Sequence, residues 1–166
     1  RIDDLVVGLR RYATGEVHDT VELLDVREVT RACVDDVRPR AADRGASIVE
    51  RYPDDPALAR SSLEQLRLVI RNLIGNAVDS LPEDGTIMVE VKVSDRDVRL
   101  SVTDDGAGIP DDIRDRVFEL HFSTKPGGSG LGLALARRET TRLGGTIELE
   151  SHDGPGTRLS VTLPRM

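Results

Sequence analysis

Two glycine clusters, Asp104-Asp105-Gly106-Ala107-Gly108-Ile109 and Gly128-Ser129-Gly130-Leu131-Gly132-Leu133, hold the residues best suited to chemistry. Asp104 ends the alternating apolar run Val98, Leu100, Val102, and the glycines after it let a backbone approach a flat ligand without interference from a Cβ. The second cluster runs directly into the apolar periodic segment from Leu131 to Ala136. Several backbone N–H groups therefore stand at a helix start, where they attract anions. A base-sized pocket beside an anion-binding helix terminus points to ATP or a relative. Either cluster alone reads as turn chemistry.

A third group of polar residues lies earlier in the chain, on a helix expected from Ser62 to Leu81. Leu63, Leu66, Ile70, Leu73 and Ala77 form its apolar stripe, and Asn72, Asn76 and Asp79 form an adjacent polar stripe on one face. Asn is a poor interior helix former, so two on one ridge call for a reason. By spacing alone this is the pattern of a solvated face. The alternative is an Asn carbonyl oxygen that ligates Mg²⁺, with phosphate oxygens and waters completing the shell.

The elements that must position these groups follow in order. Ile2, Leu5, Val6 and Leu9 have helical spacing, so residues 1–13 read as the end of a helix begun upstream, a connector. A short strand is expected over 21–26. Asp25 with Glu28 gives a capping-box signature for a helix to about Arg44, stopped by Gly45. Residues 47–52 alternate as a strand, and Pro53-Asp54-Asp55-Pro56 turns the chain toward the Ser61 or Ser62 cap of the next helix. Strands follow at about 86–94 and 97–104, then a long loop at about 105–129 with one or two helical turns, which marks it as functional. A helix at about 130–143 and strands at about 146–151 and 157–163 close the chain. The order implies an α/β sandwich: one mixed, mostly antiparallel sheet of about five strands with three helices on one face.

Composition bounds the function. The 166 residues make about one domain, and two Phe, two Tyr and no Trp leave the core to aliphatic side chains. A net charge of −7 disfavours nucleic acid or an anionic membrane as main partner, though not a local polyphosphate. No apolar run approaches a membrane span, and the first twenty residues lack a signal-peptide core. The one cysteine, Cys33, excludes an intrachain disulfide and falls in phase with Val26, Val29 and Val37 as a small buried hydrophobe. An opening at Arg1 without an initiator Met suggests a fragment of something longer.

Together the motifs resemble the ATP-binding domain of bacterial sensor histidine kinases, in the superfamily that also holds gyrase and the MutL repair ATPases. Asn72-Leu-Ile-Gly-Asn76-Ala77 resembles the N box, Asp104-Asp105-Gly106-Ala107-Gly108 the G1 box, Val117 to Pro126 the F box with its lid, and Gly128-Ser-Gly130-Leu-Gly132-Leu the G2 box. Gly144-Gly145-Thr146-Ile147, Gly154-Pro-Gly156-Thr157 and Leu163-Pro164 fit the C-terminal strands. Asp79-Ser80-Leu81-Pro82 and Phe122-Ser-Thr-Lys125-Pro126 are most like the nitrogen-regulation type.

The resemblance implies that Asp104, helped by Thr157, accepts the adenine exocyclic amine, and that Asn76 holds Mg²⁺ on the phosphates. Gly106 and Gly108 permit close approach, Ile109 walls the base, and N–H groups near Gly130, Leu131 and Gly132 receive phosphate oxygens. Asp79, Thr124, Gly128 and Ser129 complete the nucleotide contacts, and Lys125 is a mobile lid contact to the γ-phosphate. Asn72 and Lys125 form the catalytic pair. A carboxylate selects an amino group over a carbonyl, which agrees with adenine. His121 stands where the F box often has Phe, and Ser62 where an Asp often opens the N-box helix.

By resemblance the γ-phosphoryl goes to a histidine on an upstream dimerisation hairpin, and then to a response regulator. His18-Asp19 imitates the acceptor poorly, with Glu22 and Leu23 where an Asn- or Thr-Pro step is expected. The acceptor is therefore expected upstream of Arg1, with residues 14–166 forming the catalytic domain. The whole protein would be a homodimer and this piece a monomer, in the cytoplasm, with membrane anchoring of the whole left open. A gyrase- or MutL-type ATPase has a Glu base at the position of Asn72, whose amide takes no proton at neutral pH. An anti-sigma-type serine kinase and a non-catalytic nucleotide-binding regulatory module are the remaining alternatives.

Overall fold

Alternation along the two central strands decides which way the sheet faces. In β4 (Thr86–Val93) Ile87, Val89 and Val91 are buried, and in β5 (Asp97–Asp104) Val98, Leu100 and Val102 are buried with Asp104 next in the same register. The computed structural model describes residues 20–125 and 128–166. The expected connector at 1–13 and His18 lie outside them.

Seven strands and three α-helices occur among the described residues: β1 (Glu22–Asp25), α1 (Val26–Ala42), β2 (Ser47–Arg51), β3 (Leu58–Ser61), α2 (Leu63–Ser80), β4, β5, α3 (Gly132–Arg142), β6 (Thr146–Glu150) and β7 (Thr157–Pro164). The main sheet has the order β2-β4-β5-β7-β6, parallel between β2 and β4 and antiparallel elsewhere. The helices pack on its buried face, as expected for an α/β sandwich. Leu66, Ile70, Leu73 and Ile74 of α2 share one core with Ile87, Val89, Leu100 and Val161 of the sheet. Each fully buried Leu or Ile contributes about 1.5–3 kcal/mol. Cys33 is part of that core, and burial keeps its thiol protonated by raising its pKa.

Two local expectations change. β3 pairs antiparallel with β1, Glu22 opposite Ser61 and Asp25 opposite Leu58, where only a turn leading to a helix cap was read. Four residues are too few to show a period, and β3 forms because β1 offers a partner. The capping box at Asp25 is half made. The Asp25 side chain accepts from the Arg27 N–H at 3.1 Å, but Glu28 pairs with Arg31 one turn on. Asp25 also accepts from the Ala57 N–H at 3.2 Å and from the Arg27 guanidinium, so one carboxylate ties α1 to the chain entering β3.

Ser62 caps α2 as expected, its Oγ accepting from the Gln65 N–H at 3.1 Å. Buried Glu139 of α3 accepts from Gln65 Nε2 at 3.1 Å and from Arg138 Nε at 2.8 Å, which fixes the long axis of α3 against α2. At the other end of α3, Gly132 comes up against Asn72 on the polar ridge of α2.

Candidate functional site

Helical periodicity turns Asn72, Gly75, Asn76 and Asp79 of α2 onto one wall of a cavity of about 300 Å³. The Asn72 side-chain amide donates to the Leu68 carbonyl at 2.8 Å, leaving Oδ1 directed toward α3. A Cβ at Gly132 would stand 2.8 Å from that oxygen, so the glycine is what permits this approach of α3 to α2. Asp79 is ion-paired to Arg40 of α1. Arg44 donates to the Val78 carbonyl at 2.9 Å and to the Leu81 carbonyl at 3.2 Å, closing the C-terminal end of α2.

The second wall begins at the end of β5. Asp104 is only 3% exposed, because strand alternation carries it onto the core face opposite Thr157 of β7. Its Oδ1 accepts from the Gly106 N–H at 3.0 Å. Burial pushes its carboxyl above the ordinary carboxylate value, against the opposing pull of the Gly106 and Thr157 amides and of Lys125. A Cβ at Gly156, which has φ of +94°, would overlap the Asp104 carbonyl oxygen, so this corner requires glycine. Asp105 turns the other way and accepts from the Thr86 N–H at 2.9 Å, locking the loop to β4. Gly108 and Ile109 then reach the cavity wall.

The loop after β5 contains a 3₁₀ helix at Asp111–Arg116 followed by turns, in agreement with the one or two helical turns expected there. His121 is exposed with φ of +63°, consistent with a tolerated surface residue rather than a base. Lys125 is half-buried, and its Nζ donates to the Asn76 backbone oxygen and to Asn76 Oδ1, each at 3.1 Å. Burial pulls its ammonium below the ordinary lysine value, opposed by Asp79 and Asp104 and reinforced by Arg40 and Arg44. Further along, Ser129 Oγ accepts from the Leu131 N–H at 3.4 Å. No side chain caps the first turn of α3, in contrast to α1 and α2.

The structure therefore brings Asn72, Asn76, Asp79, Gly108, Ile109, Thr124, Lys125, Gly128, Ser129, Gly130 and Gly132 onto one cavity. Asp104, Gly106, Leu131 and Thr157 do not line it. Gly106, whose N–H Asp104 accepts from, packs on the carbonyl of Ser80, itself a wall residue, so Asp104 adjoins that wall. Sequence reasoning missed Arg71, Gly75, Ile113, Val117 and Leu133, which also line the cavity. Gly75 carried a signal: a glycine inside a helix costs about 0.5–1 kcal/mol relative to Ala, and here it opens onto the cavity, where a Cβ would meet nothing within 4 Å.

The donor set suits a hard cation bound mainly through a ligand. Among the described residues no group of three His, Cys, Asp or Glu could hold a metal ion alone. One neutral amide oxygen at the cavity wall, with phosphate oxygens and waters making up the remainder, fits the habits of Mg²⁺. No helix among the described residues is long and apolar enough to cross a membrane.

Residues 62–166 match the family model described as histidine kinase-, DNA gyrase B- and HSP90-like ATPase. The sensor histidine kinase ZraS of Klebsiella oxytoca is 35% identical over 150 residues, covering 89% of this chain and 32% of that protein. Among solved structures, the mycobacterial sensor histidine kinase MprB is 28% identical with a TM-score of 0.78, over 87% of this chain and 97% of that one. Full-length ShkA in complex with AMPPNP is 27% identical with a TM-score of 0.83, over 98% of this chain and 35% of that one. The chain spans about a third or less of the length of the curated relatives it matches.

Proposed function

The chain belongs to the histidine kinase-, DNA gyrase B- and HSP90-like ATPase family as an ATP-binding catalytic domain of the sensor-kinase kind, and from that premise we propose that it presents Mg-ATP to a histidine outside its own sequence. The observation that carries the proposal is the convergence of Asn76 Oδ1, the Lys125 ammonium and the uncapped start of α3 on one cavity. Asn76 would hold Mg²⁺, which when bound supplies charge neutralisation between the phosphates. The backbone around Gly130 to Gly132 would receive phosphate oxygens, as helix starts do. Lys125 would leave Asn76 to meet the γ-phosphate. Asp104 would accept from the adenine amine, with Thr157 steadying it and Ile109 against the base.

Transfer breaks the bond between the γ-phosphorus and the bridging oxygen and forms a bond to an imidazole nitrogen, releasing ADP and the imidazole proton. The chain contributes positioning and charge rather than a base. Asn72 supports this, since its amide already donates to Leu68 and takes no proton. The histidine would lie on a dimerisation hairpin joined through residues 1–13, and a response regulator would take the phosphoryl group next. Homodimerisation would reside in that hairpin.

Incubation of this chain with γ-labelled ATP is expected to leave no stable label on it, and label is expected on a phosphoacceptor hairpin supplied in trans. Label on a histidine within residues 1–166 would overturn the assignment of the acceptor to another segment.

A further inference from the structure

Lys125 occupies the very oxygen that the proposed function gives to the cation, and nothing in a phosphate-contact role requires this. Both oxygens of Asn76 accept from its ammonium at 3.1 Å. The nearest carboxylate on the same ridge, Asp79, is already paired with Arg40, so Asn76 is the hydrogen-bonding anchor of the ammonium. Resting on the reading of Asn76 as cation ligand, we infer that Lys125 is a latch that competes with the divalent cation for Asn76 Oδ1. Two cations on one amide oxygen repel, so ammonium and Mg²⁺ exclude each other there.

The latch reaches further than one side chain. The Lys125 N–H donates to Ser123 Oγ at 3.1 Å, and the Lys125 carbonyl accepts from the Gly128 N–H at 3.0 Å. The His121 N–H donates to the Gly130 carbonyl at 3.0 Å. Residues 121–125 and 128–130 thus form one hydrogen-bonded unit that ends where α3 begins. Moving Lys125 off Asn76 shifts the segment that leads into the α3 amides. Opening then requires two arrivals together: the cation takes Asn76 Oδ1 while phosphate oxygens receive the displaced ammonium. Adenosine alone offers neither and leaves the latch closed.

The sign of one variant separates a latch from a plain phosphate contact. A phosphate contact, once removed, weakens every nucleotide complex, whereas removal of a competitor tightens the cation complex that makes no γ-phosphate contact. Mn²⁺ binding in the presence of ADP, followed by electron paramagnetic resonance of free Mn²⁺, is expected to tighten about 10- to 150-fold in Lys125→Met, the range set by a hydrogen bond to a charged group. Weaker or unchanged Mn²⁺–ADP binding would overturn the latch. Hydrogen exchange of peptides spanning 119–131 in the protein without nucleotide gives a readout independent of metal. Lys125→Met is expected to accelerate it, Asn76→Ala to accelerate it less, and the double variant no more than Lys125→Met. Additive effects, or none, would also overturn the latch. If Asn76→Ala leaves Mn²⁺ binding unchanged while the exchange coupling holds, the cation assignment fails and with it the competition, but the lid contact stands.

Discussion

Replacement of Asp104 by Asn removes one charge and one acceptor from a carboxylate that needs both of its oxygens. Oδ1 accepts from the Gly106 N–H at 3.0 Å, and the Thr157 amide, opposite it on β7, also favours the ionised carboxylate. An adenine amine would ask for a further acceptor. An Asn side chain has one oxygen, so it must turn its NH₂ either toward these backbone donors or toward the base. A hydrogen bond to a charged group contributes about 1.5–3 kcal/mol, which corresponds to roughly a 10- to 150-fold loss of affinity. Stability moves differently. Because burial raises the folded pKa above its ordinary 3.8, the carboxyl stabilises the fold most below that value, and this is lost as pH rises through the folded pKa. At neutral pH the variant is therefore expected to melt no lower than the parent, and its advantage to shrink as pH falls toward the ordinary value. Calorimetric titration with AMPPNP and with inosine triphosphate tests the binding half. The parent is expected to prefer the adenine nucleotide, and Asp104→Asn to lose most of that preference. Unchanged affinity with an unchanged adenine-to-inosine ratio would refute the assignment of Asp104 to the base.

Asn76→Ala is expected to bring the ratio of AMPPNP affinities with and without Mg²⁺ toward unity, read by the same titration in magnesium and in chelator. Asp25→Ala removes the cap of α1 and an acceptor for the Ala57 N–H, a loss of about 0.5–2 kcal/mol for a cap of this kind. Arg27 holds the Asp25 carboxyl below its ordinary 3.8, so the contribution is present above that pH and disappears as pH falls through the lowered value. Urea unfolding at pH 7 is expected to separate Asp25→Ala from the parent, and unfolding in strong acid to bring them together. Gly156→Ala meets both a positive φ of +94° and the Asp104 carbonyl, and is expected to cost about 1–3 kcal/mol in thermal unfolding while weakening nucleotide binding.

Much of the site was legible because its signals are short-range. Period two along Val98, Leu100 and Val102 places Asp104 on the core face, and a pitch of one helical turn places Asn72 beside Asn76. Gly128 to Gly132 announces a helix start with no capping side chain, and the family match over 62–166 agrees with the four boxes in their order. Less legible were the residues that reach the cavity from the side. Arg71 looks like an exposed partner for Asp36, with which it pairs at 2.5 Å, yet it also lines the cavity. Ile113 and Val117 look like minor apolar patches in a polar loop, yet they line the cavity together with α2.

By itself the sequence determined what acts within a turn or a strand pair: the caps at Asp25 and Ser62, the buried stripe of α2, the inward register of Asp104 and the uncapped helix start after the second glycine cluster. Those interactions span few residues and cost little chain entropy to form. Only the tertiary structure decided that Leu58–Ser61 becomes a strand, that Arg40 takes Asp79, and that Lys125 closes on Asn76, 49 residues earlier. Each of these pairs distant segments, and the partner exists only after the helices have packed on the sheet. The same packing buries Asp104, which raises its carboxyl above the ordinary value, and puts Lys125 on the proposed cation ligand.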